Sequence, residues 1–172
     1  MARVSTRENK NIYQLTRENL QLTRETASEL LESIPPERIE KIENERSFPH
    51  PDEVLTMAEK YKKPDLCNYY CANQCPIGQE YVPEIKIKDL SQIVLEMLAS
   101  LNAMNKRKDR LIEITADGKI SNDELEDFLY IQEELERISI TVETLQLWAE
   151  KMLAAGVIDE AQYEAYRSRK KT

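Results

Sequence analysis

From Asp89 onward the apolar residues recur with a heptad rhythm, and that rhythm excludes most fold classes for the carboxy-terminal half of the chain. They fall at Leu90, Val94, Met97, Leu101 and Met104, pass the polar Lys108, and resume at Leu111 and Thr115. Steps alternating four and three draw one stripe along a helix. After Ala116-Asp117-Gly118-Lys119 a second series follows: Phe128, Ile131, Leu135, Ile138, Val142, Leu145, Ala149 and Met152. An Asp-Gly turn between two such stripes predicts an antiparallel helical hairpin, with arms of roughly 27 and 34 residues spanning about 40–50 Å. Ile93, Leu98, Ile112, Leu125, Leu147 and Trp148 lie off the stripes. Cover for them is expected from the amino-terminal half or from a second copy of the chain. A short last helix is expected near Asp159 to Tyr166.

The amino-terminal half breaks into shorter helical patterns. Ile12, Leu15, Asn19 and Leu20 mark a first helix. Thr23 reads as the N-cap of a second that holds Ala27, Leu30 and Leu31. Pro35 and Pro36 open a third with Ile39 and Ile42 inside, since the first helical N–H groups need no intrahelical acceptor. Pro49 and Pro51 flank His50, a fourth helix carries Val54, Leu55, Ala58 and Tyr61, and a fifth starts near Asp65. Residues 75–88, with Pro76, Gly78 and Pro83, read as an irregular linker.

Only three glycines occur in 172 residues, which argues against sheets and phosphate-cradling loops. No glycine-rich nucleotide motif is present. The net charge is −8, with −2 over residues 1–65 and −6 over the remainder, so neither half is a basic block. The tail residues Arg167, Arg169, Lys170 and Lys171 read as a solvated end. The first ten residues lack the apolar stretch of a secretory signal, no window reaches the length of a membrane span, and three cysteines do not make a disulfide framework. A cytoplasmic chain is expected.

Several stretches carry a family resemblance: Tyr13-Gln14-Leu15-Thr16-Arg17, Leu22-Thr23-Arg24-Glu25-Thr26-Ala27, Ile39-Glu40-Lys41-Ile42-Glu43-Asn44, and Val54-Leu55-Thr56-Met57-Ala58. Residues 11–70 resemble the Cro/phage-repressor helix-turn-helix family, also called the XRE family. The resemblance implies a dimer that binds duplex DNA with its third helix in the major groove. It implies a scaffold salt bridge between Arg17 and Glu43. It assigns phosphate contact to Arg24 and base contact to Pro35, Pro36, Glu37 and Arg38; apart from the resemblance, the basic side chains Lys41 and Arg46 are expected to supply further contacts. The sequence departs from the family where the usual turn glycine is missing, where Leu31-Glu32-Ser33-Ile34 makes a longer turn, and where prolines and Glu37 occupy contact positions.

Cys67, Cys71 and Cys75 stand at i, i+4 and i+8. Three thiolates suit zinc or an iron–sulfur cluster, with His50, Asp65 or an outside group as fourth ligand. They equally suit small buried hydrophobes, and a redox-sensing dithiol is a third reading. Glu113, Thr115, Asp117, Gly118, Ile120 and Glu124 echo a calcium-binding loop. Ser121 and Glu124 also form a helix capping box that needs no metal.

The sequence thus predicts an all-α protein. A five-helix repressor-type helix-turn-helix domain (1–74) is followed by a linker (75–88), then by a long antiparallel helical hairpin for dimerisation or sensing and a short carboxy-terminal helix (89–172). No nucleophile–base pair is visible, which points away from an enzyme. The expected function is a dimeric DNA-binding transcriptional regulator. The alternative is an interaction adaptor with a degenerate helix-turn-helix that binds a protein partner through the hairpin, with or without a metal- or redox-sensing cysteine cluster.

Overall fold

The computed structural model describes residues 9–169, so Lys170 and Lys171 of the expected basic tail lie outside the described residues. The described chain is all-helical: α1 (Ile12–Asn19), α2 (Arg24–Leu31), α3 (Pro36–Glu43), α4 (Pro51–Lys60), α5 (Asp65–Asn73), α6 (Pro76–Tyr81), α7 (Leu90–Thr115), α8 (Leu125–Ala154) and α9 (Glu160–Arg169). It divides into two compact units. One comprises the chain through Glu84 together with the segment from Glu150 onward, and the other comprises Ile85–Ala149.

In the first unit the helices start where the capping chemistry is. Asn11 and Thr23 cap α1 and α2, each side chain accepting the N–H of the residue three further on. Pro36 and Pro51 sit at the first turns of α3 and α4. The core is one cluster drawn from α1 to α5: Tyr13, Ala27, Leu31, Ile34, Ile39, Ile42, Val54, Met57, Ala58, Tyr61 and Leu66. Burying these side chains supplies the main drive for the unit to close.

The expected irregular linker at 75–88 is corrected in part, because residues 76–81 form α6. Pro76 is tolerated at the first helical position. Gly78 lets α6 lie against α5: a Cβ there would stand 2.1 Å from the carbonyl oxygen of Cys71.

In the second unit α7 and the following part of α8 form the helical hairpin. Gly118 takes φ +70 in the turn, Asp117 accepts from the Lys119 N–H, and Glu124 accepts from both the N–H and the hydroxyl of Ser121. Asp127 near the start of α8 is bound by Arg107 and Arg110 near the end of α7, at 2.7 and 2.8 Å. Arg107 also lies 4.4 Å over the Tyr130 ring. These contacts fix the antiparallel pairing.

The hairpin is rotated from the register read in the sequence. The buried positions are Ile93, Ser100 and Ile114 on α7, and Ile131, Glu134, Thr141, Thr144 and Leu147 on α8, and of these Ile131 alone lies on an expected seam. Leu90, Val94, Leu101, Leu135 and Val142, all on the expected seams, are exposed. The inward polar side chains find partners: Thr141 and Thr144 donate to the carbonyls of Arg137 and Ile140, and Glu134 accepts from Arg137. Polar groups satisfied in this way are tolerated at buried positions.

Candidate nucleic-acid interface

Glu43, on the last turn of α3, ties α1, α2 and α3 together. Arg17 on α1 donates to it through Nε at 2.5 Å and Nη2 at 3.0 Å, and Arg24 at the start of α2 donates through Nε at 2.9 Å. Arg17 also donates through Nη1 to the carbonyl of Leu22, so one guanidinium ties α1, the α1–α2 loop and α3. Asn11 adds a bond from its amide to the Ile42 carbonyl. Glu43 and Arg17 are buried, and each charge is matched by the other in a two-bond geometry. Close by, burial and the Glu43 charge push the Tyr61 hydroxyl up to about 12, against the opposing charge of Arg17.

The α2–α3 turn shows what the missing glycine does. Glu32 has φ 59 and ψ −46, and the Ser33 N–H donates back to the Leu31 carbonyl at 2.6 Å, closing a tight γ-turn around a non-glycine residue. The Glu32 side chain accepts from Lys60 at 3.0 Å.

Of the residues assigned to DNA contact, Arg24, Arg38 and Arg46 have internal partners. Arg24 holds Glu43 through Nε, and its Nη groups make no hydrogen bond among the described residues. Arg38 makes four hydrogen bonds inside the protein. Nε and Nη2 bond the Glu53 carboxylate at 2.7 and 2.6 Å, Nη1 bonds the Ser47 hydroxyl, and Nη2 also bonds the Phe48 carbonyl. Arg38 therefore fastens the α3–α4 loop to the first turn of α4. Glu37, Lys41 and Arg46 are exposed, and Arg46 lies 3.7 Å from Glu40. Lys41 makes no ion pair among the described residues. Pro35 is exposed and Pro36 half-buried. The outer face of α3 thus offers Lys41 and Arg46 beside Glu37 and Glu40, with the Arg24 tip at the head of α2.

Sequence reasoning missed Glu53 and Ser47 as the partners of Arg38. The one available signal was the position of Glu53, three residues beyond His50 at the start of α4, where it accepts the His50 N–H at 2.6 Å.

The three cysteines are not gathered into a ligand set. Among the described residues no group of three His, Cys, Asp or Glu side chains is placed to hold a metal ion. α5 ends at Asn73, so Cys75 falls beyond it, at the N-cap of α6, and does not continue the face shared by Cys67 and Cys71. Burial, Cys71, Glu150 and Asp65 push the Cys67 thiol up, away from the thiolate that metal binding and redox exchange require. The calcium-loop echo resolves likewise: Glu124 closes on Ser121 and Glu113 pairs with Arg110.

No family model matches the chain, and no match occurs among curated proteins or solved structures. No described helix is long and apolar enough to cross a membrane.

Proposed function

We propose that the chain is a DNA-binding transcriptional regulator of the Cro/phage-repressor type, acting as a dimer in the cytoplasm without catalysing a reaction. The observation that carries this reading is the Arg17–Glu43–Arg24 cluster. It joins α1, α2 and α3 through the two positions that the family resemblance pairs, and it leaves the outer face of α3 uncovered. Arg24, Lys41 and Arg46 are the phosphate and groove contacts in this reading, while Arg38 holds the fold. Three phosphate contacts per protomer give a dimer a slope near −5 in log K against log salt, about −0.9 per contact.

The test is binding to duplex DNA across a salt series. Lys41→Glu and Arg46→Glu are each expected to weaken binding at least tenfold, to flatten the slope, and to leave the thermal midpoint unchanged. A wild-type protein that binds no duplex at low salt would falsify the reading.

One observation favours a second reading. The residue at the end of the base-contact series, Arg38, has its donors engaged inside the protein, and Glu37 beside it is acidic. An adaptor that docks a protein partner and has lost DNA binding fits both facts. In that case the two charge-reversal variants leave partner binding intact.

A further inference from the structure

We propose that the first unit binds a small organic cation, an ammonium group on an apolar body, in the cavity between α4, α5 and the α8–α9 corner. The proposal goes beyond the regulator reading and does not rest on it. The cavity measures about 770 Å³, within the range of small-molecule sites, and every residue that lines it belongs to the first unit. Leu55 of α4, Pro64 ahead of α5, and Leu153 and Ala154 at the end of α8 give it an apolar wall. Leu55 is 62% exposed, so part of this wall is open to a ligand.

Two features select a cation as the occupant. The first is charge. Glu59 of α4, Glu150 of α8 and Glu160 of α9 line the cavity together with one lysine, Lys62, so three negative charges stand against one positive and the net is −2. None of the four makes an ion pair among the described residues, and Lys60, next to Glu59 in the chain, is held by Glu32. The second is unmet acceptor capacity. The Oδ1 atom of Asp65, the residue after Pro64, is buried with no hydrogen-bond partner among the described residues. Burial, Cys71, Glu150 and Asp65 together push up the Cys67 thiol on the cavity wall, so the charges of Glu150 and Asp65 are felt at one side of the cavity. Unmatched carboxylates repel an anion and attract a cation. A bare metal ion finds no ligand set among the described residues, since no group of three His, Cys, Asp or Glu is placed to hold one. An ammonium carried on an apolar body matches both the carboxylates and the wall.

The test is titration of the full-length protein, without DNA, with three probes followed by amide NMR. Phenethylammonium carries both features, phenethyl alcohol has the apolar body without the charge, and spermidine has the charge without the apolar body. Phenethylammonium is expected to give saturable shifts confined to residues 55–67 and 150–160, and the other two to bind roughly tenfold or more weakly. The Glu59→Gln/Glu150→Gln variant, altered at two exposed positions, is expected to weaken phenethylammonium by roughly tenfold or more with an unchanged thermal midpoint. No saturable shift with phenethylammonium overturns the proposal, as do saturable shifts that lie elsewhere in the chain. Equal binding of the alcohol shows that charge plays no part, equal binding of spermidine shows that the apolar wall plays none, and either result overturns the assignment. So does a folded double variant that binds phenethylammonium as tightly as wild type. The comparison of probes uses wild type alone and decides even if the variant fails to fold.

Discussion

Arg38 on α3 holds the Glu53 carboxylate on α4 through two hydrogen bonds, at 2.7 and 2.6 Å, and reaches Ser47 and the Phe48 carbonyl on the loop between them. A side chain that the family resemblance assigns to base contact is thereby a fastener of the scaffold. Arg38→Ala is expected to lose about 1.5–3 kcal/mol, the usual cost for hydrogen bonds to a charged group, with a lowered thermal midpoint even without DNA. The pair also carries a pH dependence. Burial pushes the Glu53 carboxyl up, but the bonds from Arg38 and the His50 N–H together outweigh it and hold it below the ordinary glutamate value. A carboxylate lowered in the folded state stabilises at neutral pH and loses that contribution as the pH falls from about 4.3 through the lower folded value. Wild type and Glu53→Gln are therefore expected to differ in thermal midpoint at pH 7 and to converge in acid. A gap of constant size down to pH 3 would refute this assignment.

Arg17 and Glu43 permit a cleaner separation of charge from packing. Removing one partner of a buried pair leaves the other uncompensated and costs about 3–5 kcal/mol, whereas replacing both with apolar residues is often nearly neutral. Arg17→Met alone is expected to be severely destabilised, and Arg17→Met/Glu43→Leu to recover a large part of the loss, as read by chemical denaturation. Arg24, exposed enough to turn its guanidinium to solvent, adds no comparable penalty in the double variant. Equal destabilisation of single and double variants would show that the geometry of the pair, and not its charge balance, holds α1 to α3.

The part of this design that was legible in the sequence is the part set by local chemistry. Thr23 caps α2, Pro36 and Pro51 open α3 and α4, and Gly118 turns the hairpin, because each acts on its own neighbours. The Arg17–Glu43 pair was legible through the family resemblance alone. What escaped depends on contacts distant in sequence. Pro76 and Gly78 look like helix breakers until α5 is seen lying against them. Glu53 becomes the partner of Arg38 only once the intervening loop is folded. The heptad count favoured Leu90, Val94 and Leu101 because it weighs apolarity alone, whereas α7 turns an adjoining face inward, with Ile93, Ser100 and Ile114 buried and the seam residues Met97, Met104 and Leu111 half-buried.

Glu32 stands where a glycine would cost nothing. Its φ of 59 with ψ −46 is a conformation that side chains with a Cβ seldom adopt, and such positions cost on the order of 1–3 kcal/mol. Glu32→Gly gives up an ion pair with Lys60 whose carboxylate is mostly exposed, which is worth well under 1 kcal/mol. The balance favours the variant, expected to be more stable by about 1 kcal/mol in urea denaturation. Glu32→Gln, which keeps the backbone and removes the charge, is expected to stay within about 0.5 kcal/mol of wild type. A glycine variant no more stable than the glutamine variant would mean that the turn is unstrained.

Gly78 presents the opposite case, a glycine that cannot be replaced although its φ is ordinary. A Cβ there would meet the backbone of Cys71, with the carbonyl oxygen at 2.1 Å, the carbonyl carbon at 2.6 Å and Cα at 2.9 Å. These atoms belong to the body of α5 and have no rotamer by which to withdraw, so α6 itself must move away. Gly78→Ala is expected to cost about 1–3 kcal/mol. The loss should be concentrated in α6, where the Gln79 and Val82 amides now bond the Cys75 and Gly78 carbonyls at 2.9 and 2.7 Å and should lose protection from hydrogen exchange. Gly118 is the control. Its φ is +70, but a Cβ there meets nothing within 4 Å, so Gly118→Ala strains only its own backbone, by about 1–2 kcal/mol, and leaves α6 protected. Full protection of the α6 amides in Gly78→Ala would show that α6 does not depend on its close approach to α5.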